Sequence, residues 1–274
     1  MPTVEASDGA KIFWRASGEG VPLLLSCASF STHAHWAGQE AELARFARVV
    51  SWDYRGHGLS DAPDELSRYT LAQVVDDLAR VHAAAAGDAP AIAAGLSVGG
   101  IVSLSYALAR PDRVRALVLC NTGPGFKNPE ALAQWETMLE RAAAKLGEVG
   151  IEKYLEGGRA RAELLGLHPD STLAAGARAG VLRSSVAGLQ RFARGVAGPV
   201  PNLVDVLPEV RQPALILVGE HDANFQRASQ VMAAKLPHAE RIEIAGAGHV
   251  LNLDEPAAFV REIERFVRAQ TREL

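Results

Sequence analysis

From Ala89 to Gly100 the chain reads Ala-Pro-Ala-Ile-Ala-Ala-Gly-Leu-Ser-Val-Gly-Gly, an apolar run that stops at a serine hemmed in by glycines. Helical spacing of apolar residues begins at Ile101 and ends at Arg110, before Pro111. The pattern predicts a strand that feeds a helix through Ser97. A serine on so sharp a turn takes a strained backbone conformation, and strand and helix approach closely only if the positions two before and two after it carry no bulk. Gly95 and Gly99 fill those positions. The geometry lifts the Ser97 hydroxyl clear of a sheet and sets it at a helix N-terminus, where unpaired N–H groups and the helix dipole favour developing negative charge.

The rest of the chain alternates in the same way. Thr3 to Ala6 and Lys11 to Ala16 flank Ser7-Asp8-Gly9, a hairpin signal. Val21 to Leu25 is continuously apolar, as in a strand buried on both faces of a parallel sheet. A helix from Trp36 to Phe46 then leads into a strand from Ala47 to Trp52, and Tyr69 to Ala85 has a helical period. After the Ser97 strand and its helix comes another buried strand, Val114 to Cys120.

Between residues 125 and 207 no β-rich run occurs, while Pro129 to Leu146 and Thr172 to Arg183 suit helices, so this segment is expected to be a helical cap. The sheet pattern returns with Ala214 to Gly219, a helix from Gln226 to Leu236, a strand from Arg241 to Ala245 and a helix from Glu255 to Gln270. An α/β core over 1–124 and 208–274, with a mostly parallel, doubly wound sheet, follows. At 274 residues and 48% hydrophobic content the chain can bury such a core with an insertion.

In a sheet of this kind ligands bind outside the carboxyl ends of the strands. Ser97 lies there, and so do Asp222, just past Gly219, and His249, in the small-residue loop Gly246-Ala247-Gly248. A serine hydroxyl becomes a competent nucleophile when an imidazole takes its proton, and the imidazole needs a carboxylate on its other nitrogen. Ser97, His249 and Asp222 supply those roles, with Glu220, Asp205 and Asp254 as rival carboxylates. A net charge of −4 gives no footprint for nucleic acid or an acidic membrane, so the expected partner is a small-molecule substrate. Cys27 and Cys120 lie in no metal or disulfide spacing, and neither a metal nor a cofactor is expected. With no targeting segment and no run approaching 18 apolar residues, a cytoplasmic protein of undetermined oligomeric state is expected.

At this point the chain resembles the α/β-hydrolase family. The resemblance rests on Gly95-Leu96-Ser97-Val98-Gly99-Gly100, on Asp53-Tyr54-Arg55-Gly56-His57-Gly58, on Gly219-Glu220-His221-Asp222 and on Gly248-His249. It implies an eight-stranded, mostly parallel sheet with helices on both faces and a cap after the sixth strand. It also implies an oxyanion hole built from the amide of Val98 and one amide in the loop after the third strand. The usual His-Gly pair is replaced there by Cys27-Ala28, leaving Ser29 or Phe30 to supply the amide, of which Ser29 is preferred. The small residues of that loop and Leu119-Cys120-Asn121-Thr122 look most like 3-oxoadipate enol-lactonases and small carboxylesterases.

The expected activity is therefore hydrolysis of an ester or lactone of a small acid through an acyl-enzyme. The alternatives are C–C hydrolysis of ring-cleavage products on the same triad, or a non-catalytic ligand sensor. Phe30, Trp135 and Met138 are candidate substrate contacts, the last two as an apolar lid. In relatives the Asp53 to His57 loop braces the oxyanion turn. His33 and His35 are read as polar packing and Cys27 as core. The second half of the cap is rich in arginine (Arg159, Arg161, Arg178, Arg183, Arg191, Arg194), read chiefly as solvent-facing, with one or two able to anchor a substrate carboxylate.

Overall fold

The computed structural model describes residues 2–271; Met1 and 272–274, the two ends of the expected core, lie outside the described residues. Eight strands form one sheet: β1 (Thr3–Glu5), β2 (Lys11–Ser17), β3 (Pro22–Ser26), β4 (Arg48–Trp52), β5 (Ala91–Leu96), β6 (Val114–Cys120), β7 (Ala214–Gly219) and β8 (Ala239–Ile244). Their spatial order is β1-β2-β4-β3-β5-β6-β7-β8. β2 pairs antiparallel with both β1 and β4, and every other pair is parallel. Every residue of β3, β5 and β7 is buried, so both faces of the sheet are covered, which is why these strands read as unbroken apolar runs.

The helices are α1 (Ala37–Leu43), α2 (Leu71–Ala86), α3 (Val98–Ala109), α4 (Pro129–Tyr154), α5 (Gly158–Leu165), α6 (Thr172–Val181), α7 (Val186–Phe192), α8 (Ala223–Lys235), α9 (Leu251–Asp254) and α10 (Pro256–Thr271). Four of them, α4 to α7, lie between β6 and β7. Among the described residues no helix is long and apolar enough to cross a membrane.

Several boundaries differ from the sequence reading. The helix expected from Trp36 begins as a 3-10 turn, His33–Trp36. α3 starts at Val98 instead of Ile101, directly after the last non-helical residue, Ser97. α4 runs past Leu146 to Tyr154, bending at Gly150, whose φ of 77° only glycine takes readily. The short helices α5, α7 and α9 have no long period to read.

The connection from β3 through α1 goes to β4 on one side, and the next, through α2, returns across β3 to β5. The carboxyl ends of β3 and β5 therefore bracket the switch point, the place where doubly wound sheets open a crevice.

Candidate active site

The nucleophile candidate is placed by backbone. Ser97 has φ 56° and ψ −121°, a conformation costing on the order of 1–3 kcal/mol outside glycine. Its N–H donates to the Cys120 carbonyl at 2.9 Å, and its carbonyl accepts from the Thr122 hydroxyl at 2.6 Å, so the next strand holds the turn from both sides. A side chain on Gly95 would strike the backbone of Gly99, and one on Gly99 would strike the carbonyls of Ser26 and Cys27. The glycines thus let α3 lie against both β5 and the end of β3. Among the described residues, the amides of Val98, Ser29 and Phe30 have no hydrogen-bond acceptor.

The base and its carboxylate are placed by side chains. His249 Nδ1–H donates to Asp222 Oδ2 at 2.6 Å, and the Asp222 side chain is nearly inaccessible while the imidazole keeps partial exposure. The rival acids are occupied elsewhere. Glu220 accepts from the Gly246 amide at 2.8 Å, Asp205 pairs with Lys127 at 2.8 Å, and Asp254 accepts from Leu167 and Gly248. Asn121, with φ 40°, bridges both loops: Nδ2 donates to the carbonyls of Gly248 and His249 at 2.8 Å each, and Oδ1 accepts from the Gly219 amide at 2.8 Å. Phe225 stacks on the imidazole with centroids 5.3 Å apart. In the sequence Asn121 stands out only as part of a strand end, and a polar residue closing an apolar strand is the one signal of its role.

Ser97 and His249 line one cavity of about 1370 Å³, without a direct hydrogen bond between them. Such bonds are often loose in a ligand-free site and tighten when the reacting group arrives. Ser29, Phe30, Val98, Trp135 and Met138 also line this cavity. The Phe30 ring meets Tyr154 edge-on at 6.0 Å, and Trp135 packs on Phe126 while its Nε1–H donates to Ala197 O at 2.7 Å.

The loop after β4 braces the turn after β3. Asp53 accepts from the His33 amide at 2.7 Å, the His33 ring at 2.9 Å and the Leu59 amide at 2.9 Å. Tyr54 donates its hydroxyl to Cys27 O at 2.7 Å. Arg55 reaches away from the site to Asp77 and Asp8, each at 2.8 Å, pinning the first hairpin. His57 is wedged between Tyr54 and Phe192, and burial pulls its pKa down to about 4. His33 and His35 do not line the cavity. His35 is buried, which holds its pKa at about 4, and its Nε2–H donates to Leu164 O at 2.9 Å. The Cys27 thiol donates to Thr32 O, and burial raises its pKa, so it is no thiolate nucleophile.

The arginines are mostly spoken for: Arg161 by Asp170, Arg178 by Glu152, Arg191 by Asp64 and Arg194 by Glu140. Of the six, only Arg159 lines the cavity, and its guanidinium is paired with Glu163 at 2.7 Å. Arg141, Lys145 and Lys153 of α4 also line it; being spread along a helix outside the arginine-rich half, they did not stand out in the sequence. Among the described residues no group of three or more His, Cys, Asp or Glu side chains is placed to hold a metal ion.

The family model described as alpha/beta hydrolase fold matches residues 22–256. A Bacillus subtilis protein named as a putative 2-succinyl-6-hydroxy-2,4-cyclohexadiene-1-carboxylate synthase is 31% identical over 82% of this chain and 83% of its own length. A thermophilic esterase from Thermogutta terrifontis superposes with a TM-score of 0.85 at 26% identity, covering 98% of each chain. The enol-lactonase from Burkholderia xenovorans LB400 superposes at 0.82 over 97% of this chain and 100% of its own; at 24% identity it attests the shared fold.

Proposed function

Since the chain belongs to the α/β-hydrolase family, we propose that it is a serine hydrolase of the esterase type, cleaving a carboxylic ester or lactone through an acyl-enzyme. The observation that carries this reading is the Asp222–His249 pair at 2.6 Å, opening with Ser97 onto one cavity. Ser97 Oγ attacks the substrate carbonyl carbon as His249 Nε2 takes its proton. Asp222 keeps the proton on Nδ1 and stabilises the imidazolium. The oxyanion is received by the amides of Val98 and Ser29, which have no other acceptor to leave. His249 then protonates the departing alcohol, and water, activated by the same imidazole, releases the acid.

Residues 125–207 serve as a cap, presenting Trp135 and Met138 to the substrate in the cavity that Phe30 also lines. The cavity, at about 1370 Å³, exceeds what a small acid alone fills, so a bulkier acyl or alcohol part has room. The esterase-type relative from Thermogutta terrifontis supports this reaction class.

The test is a panel of p-nitrophenyl acetate, butyrate and octanoate beside an enol-lactone bearing a free carboxylate, each run with wild type and Ser97→Ala. Turnover should fall by about four orders of magnitude or more in the variant. Near-normal turnover by Ser97→Ala on a good substrate would end the proposal.

A further inference from the structure

Asp254, at the end of α9, is a buried carboxylate with no lysine or arginine as its partner among the described residues. Instead it accepts two backbone hydrogen bonds from unrelated parts of the chain. Oδ2 takes the amide of Gly248, the residue before His249, at 2.8 Å. Oδ1 takes the amide of Leu167, in the link after α5, at 2.6 Å. The link is shaped for this contact: Gly166 has φ 77°, and any side chain there would run into Asp254 Oδ1. The same link is held from its other end, where His35 donates to Leu164 O while the His35 carbonyl accepts from Asn252 of α9 at 2.7 Å.

We propose that Asp254 is a positioning residue that couples the inserted helices to the candidate base: one carboxylate sets both the His249 loop and the link after α5. A substrate that shifts α5 moves Leu167, and through Asp254 it moves Gly248 and His249. The inference rests on the reaction proposed above for its kinetic consequences, and on the hydrogen bonds alone for the structural one.

The chemistry selects the variants. A carboxylate can accept at both oxygens, whereas the amide of Asp254→Asn offers one acceptor and turns an NH₂ toward the other backbone N–H. Leu167→Pro removes the donor to Oδ1, together with the leucine side chain beside Gly248, and leaves the Gly248 amide able to donate to Oδ2. The readouts are kcat and KM for p-nitrophenyl acetate and octanoate, Tm, and the far-downfield proton resonance of His249 Nδ1–H in hydrogen bond to Asp222.

Asp254→Asn should lower kcat on both esters by about 10- to 100-fold, the cost of a misplaced catalytic group, and should shift or broaden the resonance. Leu167→Pro should raise KM for octanoate several-fold while leaving acetate turnover and the resonance near wild type. Asp254→Asn with unchanged kcat and resonance and a lower Tm would reduce the residue to a structural role and overturn the proposal. Equal effects of Leu167→Pro on both esters would overturn the coupling to the inserted helices. If Asp254→Asn does not fold, Leu167→Pro decides. A wild type inactive on every ester would count against the proposed reaction and not against Asp254, because the resonance comparison needs no turnover.

Discussion

Ser97 is held by residues next to it in sequence, Gly95 and Gly99, and by the strand beside it, whereas His249 is held by an asparagine 128 residues away and a carboxylate from another strand end. The first half of the site stores its geometry in a strained backbone that only small neighbours permit. The second half consists of two loops, joined by Asn121 Nδ2 and Oδ1 and by the Glu220 carboxylate on Gly246. Breaking the serine half should therefore be a matter of sterics, and breaking the histidine half a matter of lost hydrogen bonds.

The largest effect expected on folding is at the elbow. Gly99→Val would push a branched side chain into the carbonyls of Ser26 and Cys27, backbone that cannot rotate aside. Folded protein should be lost, or stability should drop by about 4 kcal/mol or more, as read by urea denaturation. A mild cost would mean that the close approach of α3 to β3 is adjustable and the contrast between the halves is weak.

On the other side, Asn121→Ala strands the Gly219 amide and two carbonyls. A loss of about 2–4 kcal/mol is expected, with kcat reduced more than KM is raised. Should stability and kcat both stay within error of wild type, the histidine loop is held by something other than this side chain.

The ties around the site titrate in a predictable direction. His35 and His57 are buried with pKa values of about 4, below the ordinary 6.5. Between those values the unfolded chain takes up protons that the folded chain refuses, so their contribution to stability is present above pH 6.5 and is lost as pH falls toward 4. Each should account for about 2 kcal/mol less stability near pH 5 than near pH 7.5. Paired urea titrations at the two pH values measure this, and His35→Gln should shrink the difference by about 2 kcal/mol. A pH dependence unchanged by His35→Gln would show that the imidazole is not held neutral in the fold.

The smallest effect belongs to the exposed arginines. Arg161→Ala, which deletes a surface pair with Asp170, should change stability by less than about 0.5 kcal/mol and leave the ester panel unaltered. A large rise in KM for the carboxylate-bearing lactone alone would reinstate that arginine as an anchor.

The parallel sheet was legible because buried strands such as Leu23-Leu24-Leu25 and Leu215-Ile216-Leu217 carry their burial in their composition. The elbow was legible because strain and its remedy fall within five residues. The ends of helices were less so: α4 continues beyond its apolar period and bends at Gly150, and α5 and α7 are too short to show one. The choice among Asp222, Glu220, Asp205 and Asp254 could be ranked from the sequence, and the hydrogen bonds distribute them to four different tasks. The arginine-rich segment is read from the sequence chiefly as solvent-facing, and four of its six guanidiniums meet carboxylates on neighbouring surface elements.

What the sequence determined by itself is what depends on neighbours along the chain: the order of strands and helices, the strained serine, and the residue types able to relay a proton. Only the tertiary structure decided which carboxylate meets the imidazole, that Asn121 joins two loops, and that Asp254 accepts both from the amide before His249 and from the link after α5. Apart from the tie of Asp254 to Gly248, six residues away, those contacts span 27 to 128 residues. The Asp222–His249 pair joins two side chains whose types the sequence could rank, but the partners of Asn121 and Asp254 are backbone amides and carbonyls, which every residue carries, so no side-chain pattern along the chain announces those ties.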